Sequence, residues 1–206
     1  MSLPLTKNRM NAVQRRAGIV ETAVDLFSRR GFQGTTTREL AAAVGVSEPV
    51  LYQHFDDKRA LYAAILESKC GKQDEIAIRE LEIARQSGDI RAFFTKIAEL
   101  VLDWYVSDPR YARLMMFSRL EDHELADLFY EQRVAVFYDY LTNYLSEAMA
   151  QGRIRASDPT LTARAFVGMV SHQGVIYAIY QPGSLPGGPP AVVKLVVDIF
   201  LNGIIP

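Results

Sequence analysis

The sequence lacks several features that mark common classes of enzyme. Cys70 is the single cysteine among 206 residues, which excludes an internal disulfide and provides too few thiolates for a structural zinc site. There is no glycine-rich phosphate loop, no Cys-x-x-Cys motif and no Ser/His/Asp arrangement with the spacing of hydrolases. We therefore expect a protein that is not an enzyme and that needs neither a cofactor nor a metal.

The chain also lacks a long apolar run. Its longest apolar stretch, residues 192–201, is interrupted by Lys194 and Asp198, so it is too short and too polar to span a bilayer. No segment with a charged start and an apolar continuation opens the sequence. These absences predict a soluble cytoplasmic protein with no membrane partner.

A strong excess of one charge is missing as well. The net charge is −1, which argues against a protein that coats nucleic acid without selectivity. The charge is nevertheless unevenly divided, since residues 1–60 hold nine Lys/Arg against six Asp/Glu and residues 61–206 hold fourteen against eighteen. The two regions are expected to have different functions.

No segment shows the period-two pattern of a β-strand, whereas apolar residues recur at spacings of three and four along most of the chain. Asp108-Pro109 and Asp158-Pro159 each place a capping residue before a proline, which is typical of a helix start. Proline and glycine in residues 182–190 predict a loop that no helix can enter. The sequence predicts an all-α fold of about nine helices: 12–30, 36–43, 47–54, 56–84, 90–106, 109–121, 123–151, 158–180 and 191–202.

Residues 35–61, TTTRELAAAVGVSEPVLYQHFDDKRAL, predict a helix-turn-helix. Thr36 begins a capping box with the glutamate three residues later, and Gly45 allows the turn. Ser47 is expected to cap the second helix, with Pro49 in its first turn. Such a unit can lay the start of its second helix in a DNA major groove, although two-helix corners also occur as scaffold in bundles.

The segments LFSRRGF, TTTRELAAAVGVS and VLYQHFDDKRAL resemble the TetR-type transcriptional regulators in order and spacing, over about the first quarter of the chain. The resemblance implies a three-helix DNA-binding head in residues 1–56 and a helical ligand-binding and dimerisation domain in residues 57–206. It also implies a homodimer through helices 158–180 and 191–202.

The resemblance further implies which residues bind DNA. Phosphate contacts are expected from Thr36, Tyr52, His54 and Lys58. Contacts to base edges are expected from Thr37, Glu48, Val50 and Gln53. Pro49 and Val50 depart from the small residue and threonine that are commoner in the family, which would shift base recognition toward packing against a thymine methyl group.

Some of these residues have a second interpretation. Glu48 can accept a hydrogen bond from a cytosine amino group or stabilise the helix dipole from the first turn. Gln53 suits a bidentate contact to adenine. His54 is either a phosphate ligand or a buried structural histidine, and Tyr52 can combine core packing with a phosphate contact.

Two other histidines could suggest chemistry. His123-Glu124 with Asp127 resembles the start of a metalloprotease motif but lacks the second histidine four residues on, so zinc hydrolysis is disfavoured. His172 lies in an apolar helix, where a core or dimer-face histidine is favoured over a catalytic one.

The many aromatic and methionine residues after position 90 predict a core, and some of them suit an adaptable apolar pocket. We expect a cavity lined by residues among Trp104, Phe117, Phe137 and His172, for a mostly hydrophobic ligand. The sequence thus predicts a ligand-responsive repressor that a small molecule releases from a palindromic DNA operator. The alternative is a helical small-molecule-binding or interaction protein in which the helix-turn-helix is only scaffold.

Overall fold

The computed structural model describes residues 12–69 and 72–205, and this part of the chain is helical without any strand. Its α-helices are α1 (Ala12–Arg30), α2 (Thr37–Val44), α3 (Glu48–Tyr52), α4 (Lys58–Lys69), α5 (Lys72–Gln86), α6 (Ile90–Val106), α7 (Pro109–Leu120), α8 (Glu124–Phe129), α9 (Ala135–Ala150), α10 (Pro159–Val175) and α11 (Gly188–Ile204). A π-helical segment, Tyr130–Val134, joins α8 to α9, and another, Ile176–Tyr180, extends α10. The predicted all-α class is confirmed.

Two predicted segments differ clearly from the observed ones. The single helix expected over residues 56–84 is observed as two helices, α4 and α5. Residues 70–71, which include Cys70, lie outside the described part of the chain. The prediction that residues 182–190 exclude a helix is wrong for their last three residues. α11 begins at Gly188 and holds Pro189 and Pro190 in its first turn, where a missing N–H breaks no intrahelical bond.

Both predicted aspartate caps are confirmed. The Asp108 carboxylate accepts a hydrogen bond from the Arg110 amide at 3.1 Å, and the Asp158 carboxylate accepts one from the Leu161 amide at 2.7 Å. Each aspartate precedes a proline at the helix start. These local signals fix where α7 and α10 begin.

The buried residues form two hydrophobic cores. We call α1 to α3 the head and α5 to α11 the body, with α4 between them. One core lies within the body and brings together aromatic residues of α6, α9, α10 and α11, such as Phe94, Phe166 and Phe200. The other includes Leu40 and Leu51 of the head, continues through α4 and reaches α7 and α8. The head is therefore packed against the body through a shared core.

In residues 12–69 and 72–205, every helix is too short or too polar to cross a membrane.

Candidate DNA-binding head and ligand cavity

The turn between α2 and α3 has the geometry of a helix-turn-helix. Thr36 caps α2, since its Oγ1 accepts from the Glu39 amide at 3.2 Å while the Thr36 amide donates to Glu39 Oε2 at 2.8 Å. The predicted capping box is confirmed, and the hydrogen bond from the Thr36 backbone lowers the pKa of Glu39. Gly45 has φ = 77°, a left-handed conformation that favours glycine and turns the chain toward α3.

The start of α3 is held by a different bond from the one predicted. Ser47 occupies the capping position, but within the described residues its side chain makes no capping hydrogen bond. Instead, the Thr37 hydroxyl donates to Glu48 Oε1 at 2.6 Å. This bond joins the first turn of α2 to the first turn of α3, and residues eleven positions apart give no local sequence signal for it.

The two threonine hydroxyls are engaged within the protein. Thr36 Oγ1 donates to Glu39 Oε2 at 2.9 Å, and the Thr37 hydroxyl donates to Glu48. Since a hydroxyl has one proton, either threonine would have to exchange its partner before donating to DNA. Of the four expected phosphate donors, Thr36, Tyr52 and Lys58 are exposed and His54 is partly buried.

α3 presents a polar outer side and an apolar inner side. Leu51 is buried in the head core, while Tyr52 is 42% exposed and Gln53 is also exposed. α3 ends at Tyr52 rather than at residue 54, but Gln53 keeps a helical conformation with φ −70° and ψ −22°. Val50 and His54 are partly buried. Gln53 is thus the exposed member of the predicted base-contacting set.

A junction of four residues, Phe32, Tyr62, Glu121 and His123, connects the head to the body. Glu121, at the end of α7, accepts hydrogen bonds from the Phe32 amide at 2.8 Å and the Gln33 amide at 3.0 Å. A Cβ atom at Gly31 would lie 2.1 Å from Glu121 Oε1, so only glycine allows this close approach. Thr36, Thr37 and Lys58 share a cavity of about 190 Å³ with members of this junction.

His123 serves as a structural residue in this junction. Its ring stacks on Phe32 with centroids 3.8 Å apart, its Nε2 lies 3.0 Å from the Tyr62 hydroxyl, and its Nδ1 accepts from the Leu125 amide at 3.2 Å. It therefore caps α8 in its neutral form, with the ring proton on Nε2. Burial lowers the pKa of His123 and raises the pKa of Tyr62 to about 12. In the described part of the chain, no group of three or more His, Cys, Asp or Glu could hold a metal ion.

The other end of α8 reaches a cavity in the body. Phe129 stacks on Trp104 with centroids 4.8 Å apart, and the Lys69 ammonium at the end of α4 lies 5.4 Å from the centre of the Trp104 ring. The cavity has a volume of about 380 Å³. Its lining consists of Ala77, Ile78, Leu100, Val101, Trp104, Tyr105, Phe129, Arg133, Val134, Phe137, Tyr138, Val167 and Ser171.

Two of the four residues expected in a cavity, Trp104 and Phe137, line this one. Phe117 and His172 do not line it. Phe117 faces the head, where its Cδ1 is 3.1 Å from the position of a Cβ at Gly31. His172 is exposed on α10, because the helical repeat turns it away from Val167 and Ser171. The interpretation of His172 as a buried core residue is excluded.

The last helices carry an exposed apolar face. Leu161 on α10 is 64% exposed, and Leu195 and Ile199 on α11 are 59% and 56% exposed. His172 lies on the same side of α10 as Leu161, at a spacing of about three helical turns. A face of this composition is unusual for a helix surrounded by water.

Two family models match the chain over most of its length. Residues 19–65 match the model described as bacterial regulatory proteins of the tetR family. Residues 92–203, more than half of the chain, match the C-terminal domain of AefR-like transcriptional repressors. The chain belongs to the TetR family of transcriptional regulators. The expected family is confirmed, and it is a family of regulators rather than of enzymes.

Individual members of the TetR family show the same likeness. The class C tetracycline repressor of Escherichia coli is 48% identical over 59 residues, which cover 29% of this chain and 26% of that protein. The regulator AcrR of Shigella flexneri is 34% identical over 112 residues, 53% of this chain and 50% of AcrR. The chain thus spans about half or less of these two curated relatives. Among solved structures, AibR in complex with isovaleryl coenzyme A and operator DNA is 26% identical, with a TM-score of 0.64 over 90% of this chain and 97% of AibR.

Proposed function

We propose that this TetR-family protein is a homodimeric repressor that binds a palindromic operator and releases it when a small, mostly hydrophobic effector binds. Residues 1–56 bind DNA, and residues 57–206 bind the effector and form the dimer. The observation that carries this proposal is the placement of α3. Leu51 anchors its inner side in the head core while Tyr52 and Gln53 stay exposed, so the helix can enter a major groove without rearrangement. Such a regulator acts in the cytoplasm, where bacterial DNA lies.

The residues proposed to contact DNA divide into those at base edges and those at phosphates. Gln53 contacts an adenine edge and Val50 packs against a thymine methyl. Thr37 and Glu48 first hold α2 and α3 at a fixed angle through their hydrogen bond, and Glu48 Oε2 can still accept from a cytosine amino group. Phosphates are bound by Tyr52, His54 and Lys58, and by Thr36 once its hydroxyl has left Glu39.

The dimer forms through α10 and α11. Their exposed apolar residues Leu161, Leu195 and Ile199 would pack against the same residues of a second copy in a four-helix bundle. Dimerisation places the two copies of α3 about 34–36 Å apart, which is one turn of DNA. The complex of AibR with operator DNA supports operator binding by a chain of the same fold.

The effector acts through α8. Phe129 lies at one end of this six-residue helix and lines the cavity, whereas His123 caps the other end and contacts Phe32 and Tyr62. An effector seated beside Phe129 displaces α8, and with it the bonds that fix the head. To change the bound population usefully, it must prefer the displaced state by several kcal/mol, roughly 5.5 kcal/mol for a complete reversal.

Selection of bound duplexes from a random DNA pool tests the proposal. The full chain should enrich a palindrome whose half-site centres are about 10–10.5 base pairs apart. The competing function is a helical small-molecule-binding or interaction protein that uses the helix-turn-helix as scaffold. Enrichment of no sequence, by a folded chain that still binds small molecules, would favour that second function.

A further inference from the structure

We infer that the effector is a phenol-like molecule, whose aromatic ring packs among the aromatic side chains of the body cavity and whose hydroxyl group hydrogen-bonds to the hydroxyls of Tyr105, Tyr138 and Ser171. This inference deepens the proposed function and rests on it, because it takes the 380 Å³ cavity as the effector site. It assigns a chemical class to a ligand that is otherwise only expected to be mostly hydrophobic.

Three hydroxyl groups of the cavity lining carry the inference. They belong to Tyr105 at the end of α6, Tyr138 on α9 and Ser171 on α10. All three residues are partly buried, and none of their hydroxyls has a hydrogen-bond partner among the described residues. A purely apolar ligand would displace water from these hydroxyls and leave them unpaired, which is unfavourable. The lining therefore favours a ligand with a hydrogen-bonding group of its own.

Two tyrosines of the body outside the cavity have protein partners. The Tyr111 hydroxyl lies 2.6 Å from Ser68 Oγ, and the Tyr140 hydroxyl donates to Glu82 at 3.2 Å. Pairing of this kind is the general rule for tyrosines that pack inside a protein. The two tyrosines of the cavity differ from these neighbours, since their hydroxyls remain available to a ligand.

The three hydroxyl-bearing residues lie near one another. A Cβ atom at Gly174 would be 2.3 Å from two ring carbons of Tyr105, so only glycine lets this ring lie so close to α10. Ser171 precedes Gly174 by three residues and so lies about one helical turn away on the same side. Burial raises the pKa of Tyr138, Arg164 lowers it and Tyr105 raises it. Since charge effects weaken with distance, the two tyrosines are neighbours.

The apolar part of the lining favours an aromatic ring. Trp104, Phe129 and Phe137 line the cavity together with the two tyrosines, so five of its thirteen described lining residues are aromatic. Aromatic rings attract one another in stacked and edge-to-face arrangements. An uncharged hydroxyl costs much less to bury than a charged group, and it can pair with other hydroxyls both as donor and as acceptor. A phenol combines these two properties.

Titration calorimetry of the full chain with matched probes tests the inference without DNA. The probes are 4-propylphenol, 4-propylanisole, which has no donor, propylbenzene, which has no polar group, and 4-propylcyclohexanol, which has no aromatic ring. The phenol should bind about 10-fold more tightly than 4-propylanisole and propylbenzene, and about 3-fold more tightly than 4-propylcyclohexanol. A fifth probe, 4-propylbenzoate, should bind more weakly than the phenol because a carboxylate costs more to desolvate.

Trp104 reports where the probes bind. It is the only tryptophan of the chain, it lines the cavity and it stacks on Phe129. Binding in this cavity should therefore change its fluorescence with the same concentration dependence as the calorimetric signal.

Removal of the protein hydroxyls gives the second half of the test. Tyr138→Phe and Ser171→Ala should each weaken 4-propylphenol binding by about 3- to 10-fold and leave propylbenzene binding unchanged. Combining both with Tyr105→Phe should abolish the preference for the phenol over propylbenzene. Tyr180→Phe, at a 72% exposed tyrosine outside the cavity, is the matched control and should change neither affinity. Each ratio compares two probes on the same protein, so a smaller folded fraction does not alter it.

Several results would overturn the inference. They are equal binding of 4-propylphenol and propylbenzene, tighter binding of the benzoate or the cyclohexanol than of the phenol, an unchanged preference in the triple variant, or no response of Trp104 fluorescence to any probe. Failure of the proposed function is distinguishable, because DNA selection is measured without these probes. A protein that enriches an operator but does not prefer the phenol remains a regulator, whereas phenol preference without DNA enrichment contradicts the regulator alone.

Discussion

The head fixes its recognition helix with directional hydrogen bonds, whereas the body surrounds its cavity with aromatic packing. In the head, Thr37 and Glu48 are joined at 2.6 Å. In the body, Trp104 and Phe129 stack with centroids 4.8 Å apart. Hydrogen bonds hold an angle because their energy falls steeply with misalignment, whereas apolar contacts are non-directional and can adjust to a ligand. The two regions therefore suit a fixed surface for DNA and an adaptable one for an effector.

The junction combines both kinds of interaction. Glu121 accepts two backbone amides of the head, while His123 stacks on Phe32 and also makes polar contacts. A movement of α8 would therefore disturb both hydrogen bonds and apolar packing at the contact with the head. In the proposed mechanism, this combination would transmit a contact at Phe129 to α3.

The largest expected effect comes from disrupting the exposed face of the body. Leu195→Asp combined with Ile199→Asp should give a monomer at micromolar concentration. Dimerisation would then bury two carboxylates of each copy in the interface formed by α10 and α11, which is unfavourable. Operator affinity should fall by about 100-fold or more, since the two heads would no longer be linked. Sedimentation and DNA binding measure both effects. Leu120→Asp is the matched control, because this leucine of α7 is 83% exposed. An intact dimer in the double variant would contradict the proposed dimer interface through α10 and α11.

A double-mutant cycle on Thr37 and Glu48 tests whether their hydrogen bond holds α3 in place for DNA binding. Thr37→Val and Glu48→Ala should each weaken operator binding by roughly 10-fold, because either change removes the bond that sets the angle of α3. The double variant should bind about as well as the weaker single variant, giving a coupling energy of about 0.5–3 kcal/mol. Additive losses would show that Glu48 acts on a base independently of Thr37.

The pH dependence of stability tests the junction. His123 is held neutral with a lowered pKa, so below the ordinary value of about 6.5 the unfolded chain binds more protons than the folded one. Its contribution to stability is complete above that value and is lost as the pH falls. His123→Asn keeps a capping side chain without the titration, so its Tm should fall less between pH 7.5 and 5.5 than that of the unsubstituted protein.

His54→Asn is the control for that measurement, because His54 lies outside both the junction and the proposed dimer interface. Its Tm should follow the unsubstituted protein across the same interval. An equal fall of Tm in His123→Asn and His54→Asn would exclude His123 as the titrating group.

The smallest expected effect concerns a single phosphate contact. Lys58→Ala should reduce the slope of log affinity against log salt concentration by about 0.9 for each phosphate that the lysine no longer neutralises, and so by about two units for a dimer. The change should apply equally to all DNA sequences, because a phosphate contact carries no sequence information. Arg155→Ala in the body should leave the slope unchanged, and an unchanged slope in Lys58→Ala would remove that residue from the proposed phosphate ligands.

Local signals in the sequence were sufficient for the helix starts and the turn. Thr36, Asp108 and Asp158 act as caps as predicted, because a cap depends on residues within one helical turn. Ser47 has a capping residue type and position but no capping bond within the described residues. The Thr37–Glu48 bond that holds α3 joins two helices, so it depends on how they pack and no local pattern predicts it.

The cavity was predictable in kind rather than in detail. Aromatic residues after position 90 indicated a pocket, and Trp104 and Phe137 line one. Phe117 and His172 point elsewhere because the neighbours of α7 and α10 decide which side of each helix faces the cavity.

The most direct test of sequence-specific binding by the head compares two DNA affinities at one salt concentration. The selected operator and a scrambled duplex of the same length are titrated with the unsubstituted protein and with Gln53→Ala. We expect a ratio of about 10³ or more for the unsubstituted protein. For Gln53→Ala we expect a loss of about 1–3 kcal/mol of discrimination, confined to one or two base positions. A ratio near one for the unsubstituted protein would contradict the assignment of the head as a sequence-specific DNA-binding unit.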